Sequence, residues 1–154
     1  MDASGLCYHI VIAREGCRLR LIAGRAFGEV SPVPVFSDLF YLEAELAAGA
    51  RLSLPEDHAE RAVYVVAGGI RLGGQEVEPG SLAVVRPGGA PELTARAASR
   101  IMLLGGAALA GERHIWWNFV ASSKERIEQA KTDWRAGNFA PVPGETEFIP
   151  LPDS

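Results

Sequence analysis

Ala62-Val63-Tyr64-Val65-Val66-Ala67-Gly68-Gly69-Ile70-Arg71-Leu72-Gly73-Gly74 is the stretch that decides the fold. Two runs of β-branched and other apolar residues each end in a glycine pair. The runs are too short for helices, and glycine reaches the positive φ of a tight turn without steric cost. Ala62–Ala67 and Ile70–Leu72 are therefore predicted strands. Val63 to Val66 is apolar on both faces, so that strand is expected to be covered on both sides.

The same grammar runs outward in both directions. The 17 Gly and 10 Pro punctuate short apolar runs, as in an all-β sandwich or barrel. Further predicted strands are Tyr8–Ala13, Arg18–Ala23, Leu39–Leu46, Arg51–Leu54, Ser81–Val85, Glu92–Ala95, Arg100–Leu104 and His114–Val120. In Arg18-Leu19-Arg20-Leu21 and in Tyr41 to Leu46 polar and apolar residues alternate, which gives one wet and one packed face. Pro87-Gly88-Gly89 and Gly105-Gly106 read as turns, and Val30-Ser31-Pro32-Val33-Pro34 as an extended loop.

One helix is predicted at about 123–136. Ser122 and Glu125 have capping-box spacing, Ile127, Ala130 and Trp134 share a face, and Gly137 can close the last turn behind Arg135. The tail from Ala140 to Ser154 holds Pro141, Pro143, Pro150 and Pro152 and is expected to run extended. No linker or internal repeat divides residues 1–154, which read as a single domain.

Composition excludes several classes. With 15 Lys+Arg against 19 Asp+Glu the net charge is −4, so no bias toward nucleic acid or acidic membranes is expected. The longest apolar runs, such as Ile101 to Leu104, are far short of a bilayer span. Met1-Asp2-Ala3-Ser4-Gly5 lacks a basic flank ahead of an apolar stretch, so no signal peptide is expected. Cys7 and Cys17 lack redox-motif spacing and read as reduced thiols of a cytoplasmic protein.

Longer motifs carry a family resemblance. Tyr64-Val65-Val66-Ala67-Gly68 resembles the end of the first cupin motif, and Gly80 to Gly89 resembles the second. Arg113-His114-Ile115-Trp116-Trp117-Asn118-Phe119-Val120, then Ile127, Gln129, Ala130, Asp133 and Trp134, then Gly137-Asn138-Phe139 and Val142-Pro143-Gly144-Glu145, are similar to the end of bacterial pirins. Ile22-Ala23-Gly24, Gly28 and Ser31-Pro32-Val33 resemble the entry to the pirin C-terminal cupin. The resemblance implies a cupin-type double-stranded β-helix, a jelly-roll barrel with one C-terminal helix and a proline-rich tail. Pirins are usually two such barrels in one chain, with iron in the N-terminal one, and some are quercetin 2,3-dioxygenases.

The ligand set that the resemblance implies is incomplete here. Iron in a cupin needs about three imidazoles and one carboxylate. Counting back from Tyr64, the ligand positions of the first motif fall on Pro55, Asp57 and Arg61, and the last histidine falls near Pro91 or Glu92. Proline offers no side-chain ligand and arginine is cationic. A one-residue slip brings in His58 and leaves Ala62 beside it. Asp57, His58 and Glu92 are thus weak metal candidates, and no metal or other cofactor is expected, with iron or another divalent metal as the alternative. Asp57, Arg61 and Tyr64 are the candidates for a ligand pocket.

The remaining groups read blandly. His58 is expected on a surface loop, His114 as a strand residue near Trp116, and Glu43 and Glu45 on a solvated strand face. Glu56, Asp57 and Glu60 read as a polar loop. Adjacent Trp116 and Trp117 should face opposite sides of a strand, which makes Trp116, Trp117 and Trp134 candidates for intrachain packing or an interface. The first functional expectation is a metal-free pirin-like cupin without dioxygenase chemistry, structural, regulatory or holding a small molecule in the barrel. The alternatives are an iron-dependent oxygenase of the quercetinase type, and an interaction module that forms a homodimer or pairs with another cupin domain.

Overall fold

A computed structural model describes residues 9–86, 88–89 and 91–152. The described chain falls into two compact units, Met1–Ala108 and Leu109–Ser154. Met1 to Gly5, Cys7, Tyr8 and Pro87, on which expectations were placed above, lie outside the described residues.

The first unit is all β. Strands β1 (Ile10–Arg14), β2 (Cys17–Ala26), β4 (Leu39–Leu46), β11 (Ser99–Gly106), β6 (Glu60–Ala67) and β9 (Leu82–Val85) lie side by side in that order, with β3 (Glu29–Val30) attached to β2. A second sheet has the order β5 (Arg51–Ser53), β10 (Glu92–Ala95), β7 (Ile70–Leu72), β8 (Gln75–Val77). Every pairing is antiparallel. Gly73 and Gly74, at φ 55° and 85°, form the two-residue turn between β7 and β8 that the sequence predicts.

Alternation builds the core. Leu19, Leu21, Leu42, Ala44, Val63, Val65, Ile101 and Leu103 of the first sheet are fully buried, and they share one cluster with Leu52, Ile70, Leu93 and Ala95 of the second. Each fully buried Leu, Ile or Val contributes about 1.5–3 kcal/mol. The opposite parity of the first sheet is different. Tyr64 and Val66 are 39% and 41% exposed while Ala62 is buried, so among the described residues the second face of β6 is only partly covered, where its composition suggests full cover.

Gly105 and Gly106 correct the expected turn: they end strand β11. A Cβ on Gly105 would sit 2.3 Å from the Glu60 carbonyl oxygen and 2.5 Å from Phe40 Cε1, so glycine here makes room for a close neighbour within the sheet.

The second unit holds β12 (His114–Trp116), β13 (Phe119–Ala121) and helix α1 (Lys124–Ala136). The single strand expected over His114–Val120 is instead a hairpin, with Trp116 opposite Phe119 and Trp117-Asn118 as its turn. Trp117 stands at φ 50°, a costly conformation for a bulky residue. Its ring offsets that cost by packing edge-on against Trp134 at 5.3 Å and Phe119 at 5.7 Å. Trp116 and Trp117 therefore do not sit on opposite faces of one strand. The helix starts one residue later than the expected capping box: Ser123 caps it and accepts a hydrogen bond from the Arg126 amide. Gly137 closes it in the left-handed conformation, as expected.

Candidate functional site

Register brings five residues into one row across the first sheet: Gly24, Phe40, Gly105, Arg61 and Val85. Glycines flank Phe40 on both sides: a Cβ on Gly105 would strike the Phe40 ring, and one on Gly24 would strike the Leu39 carbonyl oxygen at 1.8 Å. The ring is 1% exposed and lies 5.0 Å from the imidazole of His58.

His58 corrects the surface-loop expectation. It is 2% exposed, and Nε2–H donates to the Arg25 carbonyl at 3.0 Å. Nδ1 has no hydrogen-bond partner, and the nearest carboxylate oxygen, on Asp38, is 3.8 Å away. Asp38 is committed elsewhere: the Arg25 guanidinium grips it through two bonds of 2.8 and 3.0 Å. That grip holds the Asp38 carboxyl below the usual carboxylate range.

Arg61 is buried beside Gly105 in the row. Nη1 donates to the Pro55 carbonyl at 3.2 Å, and Nη2 donates to the Gly89 carbonyl. Nε has no acceptor, and among the described residues Arg61 forms no ion pair. A guanidinium cannot shed its proton to escape burial, so this cation is held by backbone dipoles alone.

The sequence candidates are mostly dispersed. Asp57 is exposed and lines a cleft of about 610 Å³ together with Arg14, Phe27, Arg51 and Leu54. Arg61 points into the core and Tyr64 out of the opposite face, so the three proposed pocket residues are not neighbours in one site. Glu92 is at the surface, paired with Arg51 at 3.5 Å. Among the described residues, no group of three His, Cys, Asp or Glu side chains is arranged to hold a metal ion. A buried guanidinium at the place of the expected carboxylate ligand, and a histidine pinned to a carbonyl, do not fit an iron centre.

Glu43 corrects the solvated-face expectation. It is 4% exposed on the outer face of β4, with Arg20 Nη1 at 2.7 Å and Arg100 on its other oxygen. Glu45 is exposed and pairs with Arg18 at 3.4 Å. In the second unit Trp134 donates its indole N–H to the Ile149 carbonyl at 2.8 Å and stacks on Phe148, while Lys131 lies 4.2 Å over Trp116. His114 is half-buried on its strand. Sequence reasoning missed Phe40 and its glycine neighbours; the available signal was Gly105 closing an otherwise apolar run.

Residues 41–140 match the family model described as the pirin C-terminal cupin domain. A pirin-like protein of Caulobacter vibrioides is 49% identical over 139 residues, which make up 90% of this chain and 48% of that protein. Two crystal structures of quercetin 2,3-dioxygenase from Acinetobacter baumannii superpose with TM-scores of 0.83 and 0.78 at 20% and 25% identity. They cover 95% and 86% of this chain and 50% and 48% of those chains. The two β-sheets thus form a cupin-type jelly roll, and the chain spans about half the length of the relatives it matches.

Proposed function

The chain belongs to the pirin family through the C-terminal cupin domain, and on that footing we propose that it is a metal-independent cupin module, structural in role, that carries no oxygenase chemistry of its own and pairs with a second cupin domain. The observation that carries the first part is Arg61. Its guanidinium bridges the carbonyls of Pro55 and Gly89 at the end of the sheet where the first cupin motif would put a ligand carboxylate. A fixed positive charge there repels a divalent cation, and His58 has already spent one ring nitrogen on Arg25.

The test is metal content and oxygen uptake on the purified chain. Elemental analysis after chelation should find well under one metal per chain, and quercetin with added Fe(II) should give no oxygen consumption above buffer. Stoichiometric iron that survives chelation, or flavonol-dependent uptake abolished by Asp57→Ala, would establish the oxygenase alternative instead. Among the described residues, no helix is long and apolar enough to cross a membrane.

Pairing is supported by Tyr64 and Val66 of β6, which stand partly exposed among the described residues. Light scattering on the purified chain checks it: a mass of two copies is expected, and a monomer at every accessible concentration counts against it.

A further inference from the structure

We propose that the second unit carries a cleft for a small N-methylated ammonium solute, walled by Trp134, Phe139, Val142 and Phe148 and edged by Glu145 and Glu147. This goes beyond the reading above and does not depend on it. Every residue that lines the cleft belongs to Leu109–Ser154.

The tail builds the cleft. After Gly137 closes α1 the chain turns back, and the Trp134 indole N–H donates to the Ile149 carbonyl at 2.8 Å. That bond pins the tail beside the end of the helix, and a cleft of about 420 Å³ is left there. Phe148 stacks on Trp134 and Phe139 stacks on Phe119, each with ring centres 5.9 Å apart. Each phenyl ring thus has one face against another ring. Phe139 and Phe148 are 46% and 61% exposed, so the other face is open.

Charge selects the occupant. Two carboxylates line the cleft, and among the described residues no Lys, Arg or His does. The Glu147 and Thr146 amides both donate to Oε1 of Glu145 at 2.8 Å. They hold this carboxyl below the usual carboxylate range and leave its other oxygen for a ligand. An anion is repelled, and a neutral apolar guest would take water from the carboxylates and give nothing back. A primary ammonium is strongly hydrated and gains little from the rings. A hard metal ion needs more oxygen ligands than two side chains supply. An N-methylated ammonium suits both parts of the wall: its charge meets the carboxylates and the negative ring faces, and its methyl groups meet apolar carbon. The volume lies near the small end for ligand sites, which suits a solute and not a peptide segment.

NMR of the full chain, read at the tryptophan indole N–H signals at constant ionic strength, tests this with choline chloride. Choline should shift the Trp134 signal saturably, with a dissociation constant of about 1 mM. The neutral isostere with carbon in place of nitrogen, and ethanolamine, should each bind at least about 10-fold more weakly. Glu145→Gln/Glu147→Gln keeps the acceptor of the turn and removes both charges, and should weaken choline about 10-fold. Glu15→Gln/Glu29→Gln makes the same charge change at exposed positions of the first unit and should bind as wild type. Phe148→Leu removes one ring and should weaken binding about 5-fold; should it loosen the tail, the exposed glutamine pair carries the test. The proposal is overturned by any of three results: no saturable shift up to about 50 mM choline, an isostere or ethanolamine that binds as well, or a glutamine pair that binds like wild type.

Discussion

Replacing Arg61 separates the role of its charge from that of its bulk. In Arg61→Met the side chain keeps its length and loses both hydrogen bonds, to Pro55 and to Gly89. Hydrogen bonds from a charged donor contribute about 1.5–3 kcal/mol each. Against that loss, the variant no longer buries a guanidinium without a counter-ion, which costs several kcal/mol. The two terms nearly cancel, and a net destabilisation of about 0–2 kcal/mol is expected. Arg61→Glu restores the residue type that the first cupin motif leads one to expect. It also aims a carboxylate at two carbonyl oxygens, with no compensation among the described residues, and about 3–5 kcal/mol is lost. At about 4–8 °C per kcal/mol for a unit of this size, the Glu variant should melt roughly 10 °C or more below the Met variant. Urea denaturation and thermal melts followed by circular dichroism, with Fe(II) and with chelator, read the free-energy and temperature differences. If Arg61→Glu matches Arg61→Met within about 1 kcal/mol, or is rescued by Fe(II), the account of Arg61 as a cation fixed by backbone carbonyls is wrong.

Gly105→Ala should destabilise by about 1–3 kcal/mol, because the new methyl meets the Glu60 carbonyl and the Phe40 ring and neither can turn away; a urea midpoint equal to wild type would contradict the packing. Asp38 titrates below its ordinary range when folded, so its stabilisation is present above the unfolded pKa and is lost as pH falls through the folded one. Acid titration of stability should therefore show wild type and Asp38→Asn converging below the usual carboxylate range; a gap that stays constant down to strong acid would refute the Arg25–Asp38 pair as its source. Burial pushes the Cys17 thiol up, and its Sγ donates to the Arg51 carbonyl. A thiol reagent at neutral pH should label Cys17 much faster in urea than in buffer, and equal rates would place it at the surface.

Much of the fold is written in local pattern. Leu39–Leu46, Ile70–Leu72 and Glu92–Ala95 have the predicted bounds, because alternation and flanking turn residues agree there. Gln75–Val77 was missed: its first two residues are polar and exposed, so it pairs with β7 without an apolar signature. Glu29–Val30 is two residues long and exists only by pairing with the end of β2. The errors at the site share one cause, which is that tertiary partners decide burial. Glu43 and Glu45 look alike in sequence, but only Glu43 has an arginine on each oxygen. His58 is buried by Phe40 and by the Arg25 carbonyl, which lie 18 and 33 positions away along the chain. Trp117-Asn118 carries neither glycine nor proline, so nothing local announces the hairpin.

The aromatic cluster around Trp134 has a practical consequence. Trp116, Trp117 and Trp134 all belong to the unit Leu109–Ser154, whereas Tyr41 and Tyr64, the tyrosines among the described residues, belong to Met1–Ala108. Among the described residues, indole and phenol emission thus divide along the same boundary as the two compact units. Selective excitation of tryptophan reports the melting of the C-terminal unit alone, and the tyrosine signal adds the jelly roll. A single fluorescence melt read at two wavelengths therefore tells whether the two units lose structure together or in sequence.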